Sequence, residues 1–218
     1  MLTFNMSYFL GLFPRLSTAL PFTMEVIAAS ILLCLCTGTL VAVIRIAKVP
    51  FLHQLCEVWL SYNRSMPFIL DLYVVYFVLP VIVRAFHISP DGWPLTTYIL
   101  IALGFHYTPV ISEIIRPAYL SVDRGQHEAA MVFGLSPFHR VVHIIAPQAL
   151  PVALPSLVSE AINILKDRAG LIINANYGQG KLETYCAVAL IYWALVILVE
   201  TAFHLFQKYN GNHERRAS

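Results

Sequence analysis

The side chains suited to handling a polar solute are the few charged and amide groups inside long apolar runs, because such a group costs several kcal/mol away from water unless it is paired or wetted. Asp71 is one, seven residues beyond Arg64. On a helix it would stand roughly 10 Å deeper on nearly the same face, too far for a direct pair. A carboxylate there either biases a pathway toward cationic solutes or serves as a hydrogen-bond partner between helices. Glu160 is a second such group, with Asn163 one turn further on. Asp71, Glu160, Asn163 and Arg64 are therefore the candidate residues of a solute pathway. Glu113 and Arg116 are three apart, a spacing for a local ion pair on one helix face.

Other chemistry finds little footing. The eight histidines show no metal-ligand spacing with a nearby glutamate. His139 and His143 are four apart but lack the glutamate context of a zinc helix, so they read as packing. Cys34 and Cys36 would fall on different faces of a helix, and Cys56 and Cys186 stand alone, so neither a disulfide framework nor a zinc site is indicated. The stretch Tyr177-Gly178-Gln179-Gly180-Lys181-Leu182 approaches a phosphate-binding loop, but Ala175 occupies the first glycine position and no Ser or Thr follows the lysine. It reads as a turn. No catalytic residue, metal site or bound cofactor is expected in this chain, and any ATP would be hydrolysed elsewhere.

The surroundings of these groups follow from composition. With 58% hydrophobic and 12% charged residues and a mean hydropathy of +0.70, a chain of 218 residues has too little polar surface to coat a soluble globule. Stretches of about 20 apolar residues span a bilayer as helices. Five qualify, at about 21–44, 66–83, 94–115, 141–165 and 184–206. The period-2 alternation of a membrane barrel is missing. The expectation is an all-α membrane protein, a single domain over 1–218. Arg45 and Lys48 follow the first span, Arg116, Arg124 and Arg140 bracket the third connection, and Lys208, Arg215 and Arg216 come last. The positive-inside rule puts those regions in the cytoplasm, with the N terminus outside and the C terminus inside. Met1 to Phe13 lacks a basic n-region and a cleavage site and is expected at the interface rather than cleaved. A net charge of +2 without a basic stripe gives no reason to expect nucleic acid.

Between the third and fourth spans lies Glu128-Ala129-Ala130-Met131-Val132-Phe133-Gly134, followed after nine residues by Ile144-Ile145-Ala146-Pro147. This pattern resembles the EAA loop of ATP-binding-cassette (ABC) importer permeases, with Ala146 where the family has Leu. The resemblance implies a cytoplasmic coupling helix within a loop over 122–138, with Gly125, Glu128, Ala129, Ala130 and Gly134 at the contact with an ABC ATPase. It also implies a second permease subunit, the same or similar, a periplasmic or lipid-anchored solute-binding protein, and the bacterial inner membrane. Locally, Gln126 to Phe133 favours a helix, Gly134 suits a left-handed cap, Pro137 prevents continuation, and Glu128 would gain from the helix dipole.

Further stretches resemble the polar amino acid uptake branch of that family. Arg64-Ser65-Met66-Pro67 is similar to its Arg-Gly-Thr-Pro, and Ser112-Glu113-Ile114-Ile115-Arg116 to its Ala-Glu-Ile-Phe-Arg. Ser121 to Glu128, Pro147 to Leu150 and Leu165-Lys166-Asp167 match as well. Two departures stand out. Arg168-Ala169-Gly170 replaces the usual Thr-Ser-Leu and the connection before the last span is short, while Pro147, Pro151 and Pro155 stripe the fourth span and should kink or break it. The function implied is the permease subunit of an ATP-driven importer of polar, on one reading cationic, amino acids. An ion-driven secondary transporter is the alternative.

Overall fold

The computed structural model describes the backbone of residues 4–176 and 182–217 and side chains within 4–167 and 182–208. It is built of helices: α1 (Met6–Ala47), α2 (Leu52–Ser65), α3 (Phe68–Ala85), α4 (Leu95–Leu120), α5 (Arg124–Val132), α6 (Pro137–Arg140), a π turn (Val141–Ile145), α7 (Ala146–Asn176) and α8 (Leu182–Ala217). Five of them, α1, α3, α4, the α6–α7 run and α8, are long and apolar enough to cross a membrane. Tyr177 to Lys181 of the loop-like stretch lie outside the described residues.

The chain forms two units. One comprises residues 1–27 and 162–218. Here Leu12 and Leu16 of α1 pack with Ala187 and Val188 of α8 beside Phe9, Phe13 and Ile191. The Asn5 N–H donates to Glu183 Oε1 at 2.7 Å. The segment expected to lie at the interface is thus helical from Met6 onward and continuous with the first apolar run. Pro14 and Pro21 fall inside this helix without ending it, and its leucines find a partner helix.

The second unit, residues 28–161, holds the rest of α1, α2 to α6 and the first half of α7. Here α3 and α2 pack on α4. Gly38 of α1 makes a close approach to α4: a Cβ there would lie 2.6 Å from Ile111 Cβ. The Thr37 and Thr108 hydroxyls meet at 2.6 Å, and the Cys34 thiol donates to the Leu103 carbonyl oxygen at 3.6 Å. On α3 only Asp71, Leu72 and Val75 are buried, while apolar Tyr73, Phe77 and Val81 are exposed, as on a helix whose outer surface meets hydrocarbon or another subunit.

Helix α2 departs from the expected connection between the first two spans. Its buried Cys56, Leu60 and Asn63 recur at the i, i+4, i+7 spacing of one helix face. Pro67 separates it from α3, since the residue before a proline is driven out of the helical region and Met66 is extended at φ −108° and ψ 124°. The three prolines of the fourth span act more locally than expected. Pro147 has no N–H for the His143 carbonyl, and the chain widens just before it into the π turn, where the Ala146 N–H bonds the Val141 carbonyl. Pro151 and Pro155 sit within α7, which stays helical from Ala146 to Asn176.

Candidate functional site

Two parts of the second unit carry most of the residues singled out above, Asn163 belonging to the first unit. The first is the segment after α4. Asp123 caps α5, its Oδ1 accepting from the Gly125 N–H at 2.7 Å. The first turn of α5 contains no acidic residue, so the dipole interaction expected of Glu128 falls to the Asp123 cap, five residues earlier. At the other end Gly134 has φ +72°, the Leu135 N–H bonds the Ala130 carbonyl at 3.1 Å, and the Gly134 N–H bonds the Met131 carbonyl at 2.9 Å. These two bonds are a Schellman cap, which glycine adopts without the Cβ penalty. Ser136 then caps α6 by accepting from the His139 N–H.

This double-capped turn displays apolar side chains. Ala130 is buried as α5 packs on the π turn, and Glu128, Ala129 and Gly134 lie on the surface. Val132 is 86% and Phe133 84% exposed, with Met131 and Phe138 also open. Rigid caps around an exposed apolar tip suit docking to another protein rather than packing within the chain. Sequence reasoning named Gly125 to Gly134 but not Phe138. Its signal, an aromatic two residues after the Ser136 cap on a polar loop, was available.

The second part is a buried polar cluster. Asp71 is fully buried, and both of its oxygens are engaged: the Tyr62 hydroxyl donates to Oδ1 at 2.9 Å, and His106 Nδ1 meets Oδ2 at 2.7 Å. Asn63 Nδ2 donates to the His106 carbonyl at 2.8 Å. One carboxylate therefore ties α2, α3 and α4 together. Burial, with the Asp71 hydrogen bond next, pushes the Tyr62 hydroxyl pKa up. Tyr62, Asn63 and His106 were missed from sequence because they become neighbours only when three helices converge.

Toward the ends of α1 and α4 the charges are paired differently from the local spacing rule. Arg64 bonds Glu113, so Glu113 does not pair with Arg116, whose buried Nε has no hydrogen-bond partner among the described residues. Two helices meeting beat two residues on one helix. Arg45, buried, donates from Nε to Glu57 Oε1 at 2.9 Å and from Nη1 to Ser112 Oγ at 3.2 Å. That hydrogen bond holds the Glu57 carboxyl below its usual range. Glu160 and Asn163 are partly buried on α7, each with interactions of its own. Among the described residues no group of His, Cys, Asp or Glu could hold a metal ion.

Comparison with known proteins covers most of the chain. Residues 34–179 match the family described as binding-protein-dependent transport system inner membrane component. A probable amino-acid permease protein, YxeN of Bacillus subtilis, is 32% identical over 94% of this chain and 96% of its own length. A probable amino-acid ABC transporter permease protein, PatM of Vibrio harveyi, is 31% identical over 90% and 92%. In fold, the chain is similar to one from the crystal structure of an amino acid ABC transporter with histidines, at a TM-score of 0.74 and 22% identity, covering 95% of this chain and 99% of that one. A chain of the MetNI methionine ABC transporter gives a TM-score of 0.65 at 21% identity, over 86% and 92%.

Proposed function

This chain belongs to the binding-protein-dependent transport system inner membrane component family, and we propose that it is the permease subunit through which an ABC importer moves a polar amino acid. It is a multi-pass transport subunit rather than an enzyme. The amino acid class comes from the relatives, whose names as amino-acid permeases span nearly the whole chain. On this reading two ATPase subunits bind and hydrolyse ATP, a second permease subunit completes the pathway, and a solute-binding protein delivers the substrate from outside. The N terminus lies outside and the C terminus in the cytoplasm. Closure of the ATPase pair draws the α5 segments together, which reopens the pathway on the other side.

The observation that carries the proposal is the α5 turn, capped at both ends and tipped with exposed Met131, Val132 and Phe133. Substituting Gly134→Val places a β-branched residue at φ +72°, a penalty of about 1–2 kcal/mol confined to this turn. Membrane insertion and detergent-soluble yield should stay near wild type, while ATPase co-purification and substrate-stimulated hydrolysis fall. Glu128→Ala should do the same more mildly. Full uptake and ATPase capture in Gly134→Val would remove α5 as the coupling element, and uptake that survives ATP depletion would favour an ion-driven transporter instead.

The pathway is proposed to pass Asp71, Arg64, Glu160 and Asn163. With both Asp71 oxygens occupied, that residue acts by positioning Tyr62 and His106 rather than by meeting a cationic solute. Asp71→Asn should therefore reduce uptake of lysine and glutamine alike. A loss confined to lysine would show instead that the Asp71 charge selects the substrate.

A further inference from the structure

A pocket of about 430 Å³ lies at the α3–α4 connection. It is at the opposite end of α4 from the coupling turn, roughly 39 Å away along that 26-residue helix. Its walls combine the rings of Tyr76, Trp93 and Tyr98 with Arg84 and Asp91. The rings are inclined, Tyr76 to Tyr98 at 62° with centroids 5.3 Å apart and Trp93 to Tyr98 at 48° and 5.9 Å, so they form an aromatic corner. Arg84 Nη2 donates to Asp91 Oδ1 at 2.7 Å, and the Ser89 hydroxyl donates to Asp91 Oδ2 at 2.9 Å.

The connection is built to hold these groups still. The His87 N–H bonds the Arg84 carbonyl and the Ile88 N–H bonds the Val83 carbonyl, a Schellman cap on α3 with His87 at φ +60°. A turn follows, closed by the Trp93 N–H on the Pro90 carbonyl at 3.1 Å, and Gly92 at φ +91° supplies the positive angle that its third position needs. Pro90 and Pro94 stiffen both flanks.

The ion pair contributes little to holding the fold. Arg84 is 58% and Asp91 73% exposed, and such pairs add little stability. The guanidinium retains free N–H donors, and each Asp91 oxygen retains accepting capacity. The Arg84 hydrogen bond, then that from Ser89, keeps the Asp91 carboxyl below its ordinary range and therefore anionic at neutral pH. A fixed cation and a fixed anion side by side, next to a wall of rings, complement a ligand that carries an anionic group, a cationic group and a side chain on one carbon.

We propose that this pocket is an outer binding site for a free α-amino acid, with Arg84 taking the α-carboxylate, Asp91 the α-ammonium, and Tyr76, Trp93 and Tyr98 receiving the side chain. The zwitterion lies antiparallel to the Arg84–Asp91 pair, so each charge gains a partner without breaking the existing bond. The volume falls within the range of small-ligand sites. Stacking and cation–π contact on the rings favour a long or cationic side chain over a small one. The choice of ligand rests on the amino acid permease reading above.

The test uses the full-length chain purified with its ATPase in lipid nanodiscs, without binding protein. Equilibrium binding of tritiated L-glutamine and L-lysine is measured, with their unlabelled α-amides and Nα-acetyl derivatives as competitors. Saturable binding is expected, weakened about tenfold by Arg84→Gln and by Asp91→Asn, since each removes a charge-assisted hydrogen bond. Trp93→Leu should weaken it about threefold through lost ring contact. The amides and acetyl derivatives, each lacking one charge, should compete poorly. ATPase co-purification should stay at the wild-type level in all three variants, which separates this site from the coupling turn. Absence of saturable binding, or unchanged affinity in both Arg84→Gln and Asp91→Asn, would overturn the proposal while leaving the transport reading intact. So would a defect of Arg84→Gln seen only when the binding protein is added to the same nanodiscs and its docking is measured, which would make the occupant a protein side chain.

Discussion

A carboxylate with no exposed surface at all, Asp71, survives in an apolar bundle because each of its oxygens has a donor. Removing it leaves Tyr62 and His106 facing a void, whereas removing one donor leaves the other bond in place. Interhelical hydrogen bonds within membranes average about 0.6 kcal/mol, and stranding buried polar partners costs about 1–3 kcal/mol. Asp71→Ala should therefore destabilise by about 2 kcal/mol and Tyr62→Phe by about 0.6 kcal/mol, ordered in that way in thermal unfolding in detergent. Equal melting shifts would mean the cluster is not anchored on the carboxylate. Glu57 offers a pH test. Its folded pKa lies below its unfolded value because Arg45 donates to it, so its contribution is present above the usual carboxylate range and is lost as pH falls through the lowered value. Its half-exposed side keeps the effect small. The acid limb of the stability curve should flatten in Glu57→Gln, with a small loss of stability near neutrality that vanishes at low pH, and an unaltered acid limb would show the pair adds nothing.

Among the elements, those set by local chemistry were readable and those set by convergence were not. Gly134 and Pro137 announced the end of α5 because a left-handed cap and a missing donor act within a few residues. The pairing of Arg64 with Glu113, and the Tyr62–Asp71–His106 cluster, required knowing that α2, α3 and α4 meet. Helix α2 was hidden by its polar composition, although Cys56, Leu60 and Asn63 already showed a helical face. The proline stripe of the fourth span misled in scale, since one π turn absorbs the defect at Pro147. Pro147→Ala restores a donor for the His143 carbonyl and so favours α over π geometry there. Removing the extra residue of that turn would rotate α6 by about 100° relative to α7. Insertion and yield should persist while substrate-stimulated ATP hydrolysis drops several-fold; unchanged hydrolysis would show that the π turn does not orient the segment proposed for coupling.

For the whole molecule, long apolar runs exposed the membrane class because a bilayer demands internally bonded helices of a minimum length, and that demand is written in composition. The extent of the first run escaped the same reasoning, since Met6 to Leu20 interleaves polar and apolar residues and its partner on α8 lies far along the chain. Which end of each helix faces the cytoplasm is a separate property, set by Lys and Arg in the connections. Arg116, Arg124 and Arg140 flank α5, whereas the α3–α4 connection has only Arg84 beside it, paired with Asp91, and His87 to Trp93 contains no Lys or Arg. The α5 turn proposed for coupling should therefore be cytoplasmic and the aromatic pocket external, on opposite ends of α4. A background with all four cysteines replaced by serine or alanine isolates the question. In intact cells or spheroplasts, Ile88→Cys should react with a membrane-impermeant maleimide, and Phe138→Cys should react only after the membrane is opened. Both positions are exposed in the isolated chain, so accessibility reports sidedness rather than burial. If Phe138→Cys reacts from outside, the orientation is inverted, and an α5 on that side has no access to a cytoplasmic ATPase.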